Sequence, residues 1–118
     1  MELIKANQIS LDSTQLYERL ATSKDLISDF CRNWQITQLA IFGSVLRNDF
    51  RSDSDVDFLI VLSDNTHLSF SEFLDLEEQL SNLVKRDVDI IFVNDLERSE
   101  NWIRRKHILE TATVIYES

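Results

Sequence analysis

Two aspartates spaced two residues apart, Asp55 and Asp57, open an apolar stretch of the sequence. Residues two apart on a strand point to the same face, so both carboxylates would project together. Adjacent carboxylates repel each other unless a cation lies between them. Mg²⁺ takes oxygen ligands and is typically held by one or two carboxylates together with substrate phosphates. The spacing therefore predicts a Mg²⁺ site that would position phosphate groups.

The only glycine of the chain, Gly43, stands beside Ser44, and ten residues separate this serine from the aspartate pair. We expect the glycine to end a strand and a short helix to follow over residues 44–48. Glycine lets a ligand approach the backbone closely, and the N–H groups at the beginning of a helix favour phosphate. The serine hydroxyl adds a donor, and Arg47 one turn further on could bind the same phosphates.

A third acid on a neighbouring strand would complete such a site, and the stretch DVDIIFV offers Asp87 and Asp89. Two metal ions about 3.5–4 Å apart can stabilise both the attacking and the leaving oxygen of an in-line displacement. An acid at this place could help to bind the catalytic metal or could accept the proton of the attacking group. Both roles stay open for it.

Helices and strands alternate along the chain, which predicts an α/β fold with a small mixed β-sheet flanked by helices. Strands are predicted at residues 36–42, 55–62 and 87–93, the second of them buried on both faces. Helices are predicted at 12–34, 69–85 and 100–110, with an extended segment after the last. A cap-like sequence at 22–25 can divide the first helical stretch in two. The apolar residues with helical spacing are Leu16, Leu20, Ile27, Cys31 and Trp34 in the first stretch, and Phe70, Phe73, Leu74, Leu76, Leu80, Leu83 and Val84 in the second.

Length and composition favour a single globular domain over residues 1–118, and they argue against several function classes. The net charge of −9, with 21 acidic and 12 basic residues, argues against nucleic acid as the main partner. A basic run from Arg104 to His107 could meet an anion locally, although such runs are usually solvated helix faces. The lone Cys31 excludes an internal disulfide. No signal peptide or membrane-spanning run occurs, so we expect a cytoplasmic protein without membrane contact.

The ordered combination of these motifs resembles the nucleotidyltransferase superfamily of the DNA polymerase β type. Within it, the stretch FGSVLRNDFRSDSDVDFLIVL is most similar to the minimal nucleotidyltransferases, the MNT antitoxins encoded with HEPN toxins. The likeness covers nearly the whole chain from about residue 23. It includes the strand DVDIIFV and the C-terminal IRRKHILETATVIYE. One departure is Asn48, where many relatives carry glycine.

The resemblance implies a role for each matching residue. Gly43 and Ser44 match the phosphate-holding turn, Asp55 and Asp57 match the metal-binding pair, and Asp89 matches the third acid of the catalytic and metal-binding set. Asp87 stands where the family shows no fixed acid. The implied activity is Mg²⁺-dependent transfer of AMP from ATP to a tyrosine hydroxyl of a cognate HEPN toxin, in a hetero-oligomer with that toxin.

Two other functions compete with this one. The chain could be a catalytically idle antitoxin that silences its partner by binding alone, although an intact set of motif residues argues against such decay. It could also be a small-molecule (antibiotic) adenylyltransferase, but those enzymes normally carry a helical substrate domain for which this chain has no room.

Overall fold

The computed structural model describes residues 13–48, 50–51 and 53–118. Its helices are α1 (Ser13–Leu20), α2 (Lys24–Asn33), α3 (Phe70–Val84), α4 (Val93–Glu97) and α5 (Trp102–Thr111). Its strands are β1 (Ile36–Phe42), β2 (Val56–Leu62), β3 (Val88–Phe92) and β4 (Thr113–Glu117), and a 3₁₀ turn (Gly43–Leu46) follows β1 directly. Among these described residues, no helix is long and apolar enough to cross a membrane.

The four strands form one mixed sheet in the order β3-β2-β1-β4. β1 runs antiparallel to both β2 and β4, whereas β2 and β3 are parallel. The end of β1 therefore meets the beginning of β2, and the beginning of β3 lies beside them. The register pairs Phe42 with Asp57, and Asp57 with Asp89. The motif residues of three strands thus gather at one edge of the sheet.

Alternate residues of β2 face two separate apolar cores. Phe58 and Ile60 belong to a cluster that includes residues of α2 and α3. Leu59 and Val61 belong to a second cluster, which holds residues of α4 and α5. Because side chains alternate along a strand, Asp57 lies on the same face as this second cluster. The carboxylate therefore projects on the side of the sheet that α4 and α5 cover.

Local signals account for most element boundaries. Ser23 caps α2 by accepting a hydrogen bond from the Leu26 N–H, so the predicted division of the first helical stretch is confirmed. Ser69 and Glu72 form a capping box at the beginning of α3, and Lys85 ends that helix in a left-handed conformation with φ +57°. The C-terminal segment predicted to be extended forms β4.

The structure corrects four details of the sequence prediction. The turn after β1 is a 3₁₀ turn that ends at Leu46, not a helix to residue 48. The third strand runs from Val88 to Phe92, so that Asp87 precedes it, and α4, a helix that was not predicted, begins at Val93. The predicted apolar face of α3 is too broad, because Phe70 and Leu74 are 77% and 44% exposed. Asp55 precedes β2 instead of belonging to it.

Candidate active site

Gly43 is held against the Asp57 carboxylate by the pairing of β1 with β2. Its φ of +78° lies in the left-handed region, which side chains other than glycine rarely adopt. A Cβ at this position would lie 2.2 Å from Asp57 Oδ2, well inside van der Waals contact. The position therefore requires glycine for two reasons, and both bring the backbone of the turn next to a carboxylate.

The acids meet at the start of the two parallel strands. Asp57 and Asp89 are register partners on β2 and β3, and Val56 N–H donates to the Asp87 carbonyl one step earlier. Asp57 is half-buried, whereas Asp55, Asp87 and Asp89 are exposed. The predicted acids are thus brought together at one edge of the sheet, with Asp57 at the centre.

The neighbouring acids and the partial burial of Asp57 shift the pKa of its carboxyl. Burial, as the largest cause, and the charges of Asp89 and Asp55 together raise the pKa of its carboxyl to about 6. Asp87 is not among the groups that act on it. All the ligand atoms that these acids offer are carboxylate oxygens, and a bound cation would relieve the repulsion between them. A hard divalent cation prefers ligands of this kind. The residues present therefore fit Mg²⁺.

Two arginine side chains partly offset the rise in the pKa of Asp57. The charges of Arg47 and Arg104 lower the pKa of Asp57, although they do not cancel the effects that raise it. Arg47 follows the 3₁₀ turn, and its N–H donates to the Ser44 carbonyl at 2.9 Å. The Arg47 carbonyl in turn accepts a hydrogen bond from Arg19 Nη1 at 2.6 Å. The sequence predicted that Arg47 lies at the site but not that Arg104 does. The basic run that contains Arg104 does not indicate which face of the β-sheet α5 covers.

The acid group is not a closed metal cage. Within residues 13–48, 50–51 and 53–118, no three His, Cys, Asp or Glu side chains are placed so that they could hold a metal ion by themselves. Mg²⁺ sites of enzymes that act on nucleoside triphosphates commonly use one or two carboxylates and take further ligands from the phosphates. The carboxylates of Asp55 and Asp57, beside the turn at Gly43, match that arrangement. The participation of Asp89 as a metal ligand stays a prediction.

A large cavity lies away from these residues. It measures about 580 Å³ and is formed at the opposite ends of β2 and β3, between the beginnings of α3 and α4. Its lining includes Ser63, His67, Phe70, Phe92 and Arg98. None of the sequence-predicted site residues lines it. Cavity volume and the clustering of acids therefore point to two different places on the molecule.

Comparison with known proteins bears on the acid group. The family described as "Polymerase beta, Nucleotidyltransferase" matches residues 24–118, which include the glycine turn and all of the acids discussed above. A Methanocaldococcus jannaschii protein assigned as a protein adenylyltransferase is 31% identical over 78 residues, which make up 66% of this chain and 75% of the relative.

Two solved structures share the fold. A toxin–antitoxin structure with AMP-PNP superposes with a TM-score of 0.62 at 17% identity, covering 81% of this chain and 74% of the other. The toxin–antitoxin structure MntA–HepT superposes with a TM-score of 0.54 at 16% identity, covering 80% of this chain and 70% of the other. At these identities the likeness concerns the arrangement of helices and strands.

Proposed function

This chain belongs to the polymerase β nucleotidyltransferase family, and on that premise we propose that it transfers AMP from ATP to a tyrosine hydroxyl of a cognate HEPN-type toxin. The observation that carries the proposal is the register that places Asp57 beside both Gly43 and Asp89. A nucleotidyl transfer needs a place for the triphosphate, ligands for Mg²⁺ and a group near the attacking oxygen. These three requirements meet at this edge of the sheet.

The glycine turn serves the triphosphate. The left-handed backbone at Gly43 leaves no side chain between the chain and a ligand, so phosphate oxygens can approach the backbone of the turn. Among the described residues, no side chain caps the beginning of the 3₁₀ turn. In the proposed complex its first N–H groups donate to phosphate oxygens, and the Ser44 hydroxyl adds a further donor.

The acids serve the metal and the acceptor. Asp55 and Asp57 would hold Mg²⁺, with Asp89 as a third acid at the same edge. Bound Mg²⁺ supplies neutralisation of phosphate charge and polarisation of the bond that breaks. Asp89, which is exposed, can take the proton of the tyrosine hydroxyl at its carboxylate.

The tyrosine oxygen forms a bond to the α-phosphorus of ATP while the bond from that phosphorus to the pyrophosphate oxygen breaks. The proton of the hydroxyl passes to Asp89, and pyrophosphate leaves. The modified tyrosine then carries AMP and a negative charge, which we expect to disable the toxin's active site.

Three observations support a protein acceptor. The chain has a net charge of −9, which repels nucleic acid. The M. jannaschii relative is assigned as a protein adenylyltransferase. Two of the similar folds come from toxin–antitoxin structures, one of them with AMP-PNP. A chain of this kind would form a hetero-oligomer with its toxin and would take the acceptor group from that partner.

The test is an incubation of the chain with a candidate HEPN toxin, Mg²⁺ and ATP labelled at the α-phosphate. We expect label on the toxin, mapped by mass spectrometry to tyrosine, and no label when EDTA is added or when Asp55→Asn and Asp57→Asn are combined. Neutralisation of the toxin by the double variant without added mass would favour an antitoxin that acts by binding alone. Label on another residue type would refute the tyrosine assignment while leaving the transfer in place.

A further inference from the structure

Arg104 is a basic residue that has no role in the proposed transfer as described above. It lies in the first turn of α5, and its N–H donates to the side chain of the capping residue Asn101 at 3.1 Å. This cap fixes the beginning of α5, so the position of Arg104 in the helix is well defined. The question is which part of the molecule its side chain faces.

The packing of α5 answers this question. Ile108 of α5 and Ala112, the residue that caps the end of this helix, lie in the same core cluster as Phe42 and Leu59, on the face of the sheet where Asp57 projects. Arg104 precedes Ile108 by one helical turn, and residues four apart share one side of a helix. Its side chain therefore extends from the edge of this core, and its charge acts on the Asp57 carboxyl.

The neighbouring basic residues are engaged elsewhere. Arg105 donates a hydrogen bond to the Ser99 carbonyl, and Lys106 forms an exposed salt bridge of 3.9 Å with Glu110. Among the described residues, no hydrogen bond or salt bridge occupies the Arg104 guanidinium, and the residue is exposed. Arg104 is thus close enough to influence Asp57 but is not consumed by pairing with it.

We infer that Arg104 binds a phosphate group of the ATP held at the Gly43 turn. This inference rests on the proposed function, because it presupposes a triphosphate beside Asp57. A guanidinium presents a planar fork of donors that matches phosphate oxygens in a bidentate contact. Arg104 would approach the nucleotide from α5, whereas Arg47 would approach it from the chain segment after the turn. The two arginines would then hold the phosphates from different elements of the fold.

The basic run offers a matched control for the test. Arg104→Gln and Lys106→Gln remove the same charge from the same helix, two residues apart, and the second change disturbs only an exposed salt bridge. Isothermal titration with ATP and Mg²⁺ at low and high salt would be run on both variants, on Arg104→Lys and on the unmodified chain. Circular dichroism would check that every variant is folded.

We expect Arg104→Gln to raise the Kd for ATP about tenfold or more at low salt, the scale of one charged hydrogen-bond contact. The loss should shrink at high salt because the contact is electrostatic. Arg104→Lys should recover part of the affinity, which a merely structural role would not produce. Lys106→Gln should bind ATP as tightly as the unmodified chain.

Several outcomes would overturn the inference. If Arg104→Gln and Lys106→Gln bind ATP equally well, Arg104 does not contact phosphate, although the proposed transfer survives. A loss of affinity that is the same at both salt concentrations and is not recovered by lysine would assign Arg104 a structural role. Failure of the unmodified chain to bind ATP with Mg²⁺ would overturn the inference and the proposed function together.

Discussion

The two ends of the β2-β3 pair differ in what they offer a ligand. One end has volume, a cavity of about 580 Å³ with aromatic walls that include Phe70 and Phe92. The other end has little enclosure but gathers acids, a glycine in the left-handed region and two arginine charges around Asp57. A well-formed pocket is the usual first hypothesis for an active site. For a transfer in which the substrate brings its own phosphates and metals, crowded charge is the better guide than enclosed volume.

The largest expected effect separates the two ends directly. Asp57→Asn should slow AMP transfer about a thousandfold, the scale on which loss of an electrostatic element at a reacting centre acts. Asp64→Asn makes the same change in an exposed residue of the cavity lining and should leave the rate unchanged. The measurement is the initial rate of label transfer to the toxin. A slower reaction in Asp64→Asn than in Asp57→Asn would move the site to the cavity.

A second comparison lies within the acid end, between Asp89 and Asp87. Asp87 directly precedes β3 and Asp89 is its second residue, and of these two only Asp89 acts on the Asp57 carboxyl. Asp89→Asn should slow transfer about a hundredfold, within the range that general-base catalysis contributes, while ATP binding persists. Asp87→Asn should be nearly silent. Single-turnover rates and ATP titrations of both variants measure this difference. If Asp87→Asn proved to be the slower variant, Asp87 would be the third acid of the site instead of Asp89.

Gly43→Ala tests the contact between the turn and the carboxylate. A side chain at φ +78° costs about 1–2 kcal/mol, and the new Cβ must displace the Asp57 carboxylate. We expect at least a tenfold slower transfer and a lower free energy of unfolding, measured by denaturant titration. In an Asp57→Ala background the loss of stability should be smaller, because the displaced group is gone. Equal losses in both backgrounds would show that the strained backbone alone sets the cost.

The smallest effect is on stability as a function of pH. Folding raises the pKa of Asp57 from 3.8 to about 6, so the folded state binds the proton more tightly than the unfolded state does. The free energy of unfolding therefore falls as pH rises from about 4 to above 6. Asp57→Asn should remove this loss and stabilise the chain at pH 7.5 by about 1 kcal/mol, after allowance for solvent screening.

The difference between Asp57→Asn and the unmodified chain should be much smaller at pH 4 than at pH 7.5, and it should vanish only below the unfolded pKa of 3.8, where the carboxyl is protonated in both states. Denaturant titrations at pH 4 and pH 7.5 measure this difference, with Asp64→Asn as the control for the loss of one negative charge. A gain of stability that is the same at both pH values would refute the raised pKa.

Much of the acid end could be predicted from short-range patterns. The Asp-x-Asp pattern before an apolar run predicted that Asp55 and Asp57 lie close together, and their charges do interact, but Asp55 precedes β2, so the two-residue period of the strand does not set its direction. The choice of Asp89 as the third acid came from the resemblance to the nucleotidyltransferases, and the register of β2 with β3 brings Asp89 beside Asp57. The strand over residues 36–42 was predicted with its observed bounds. The Asp-x-Asp pattern and this strand depend on neighbours in the sequence, so the sequence alone carries them.

The remaining features depend on contacts between distant segments. The charge of Arg104 acts on Asp57 because α5 packs on the face of the sheet on which Asp57 projects, and a basic run of residues gives no sign of that packing. The exposure of Phe70 likewise follows from where α3 begins relative to the sheet, since its apolar character alone predicts burial. The short helix α4 is anchored by Val93 and Leu96, a pair too brief to give a helical pattern.

The central claim, that the nucleotide binds at the acid end, is tested most directly by two-dimensional ¹H–¹⁵N NMR with Mg²⁺ and a non-hydrolysable ATP analogue. The account predicts that the amide signals of Gly43, Ser44, Asp57 and Asp89 shift on titration, while those of Asn94 and Arg98 at the cavity stay in place. Shifts concentrated at Asn94 and Arg98, with Gly43 and Asp57 unmoved, would contradict it.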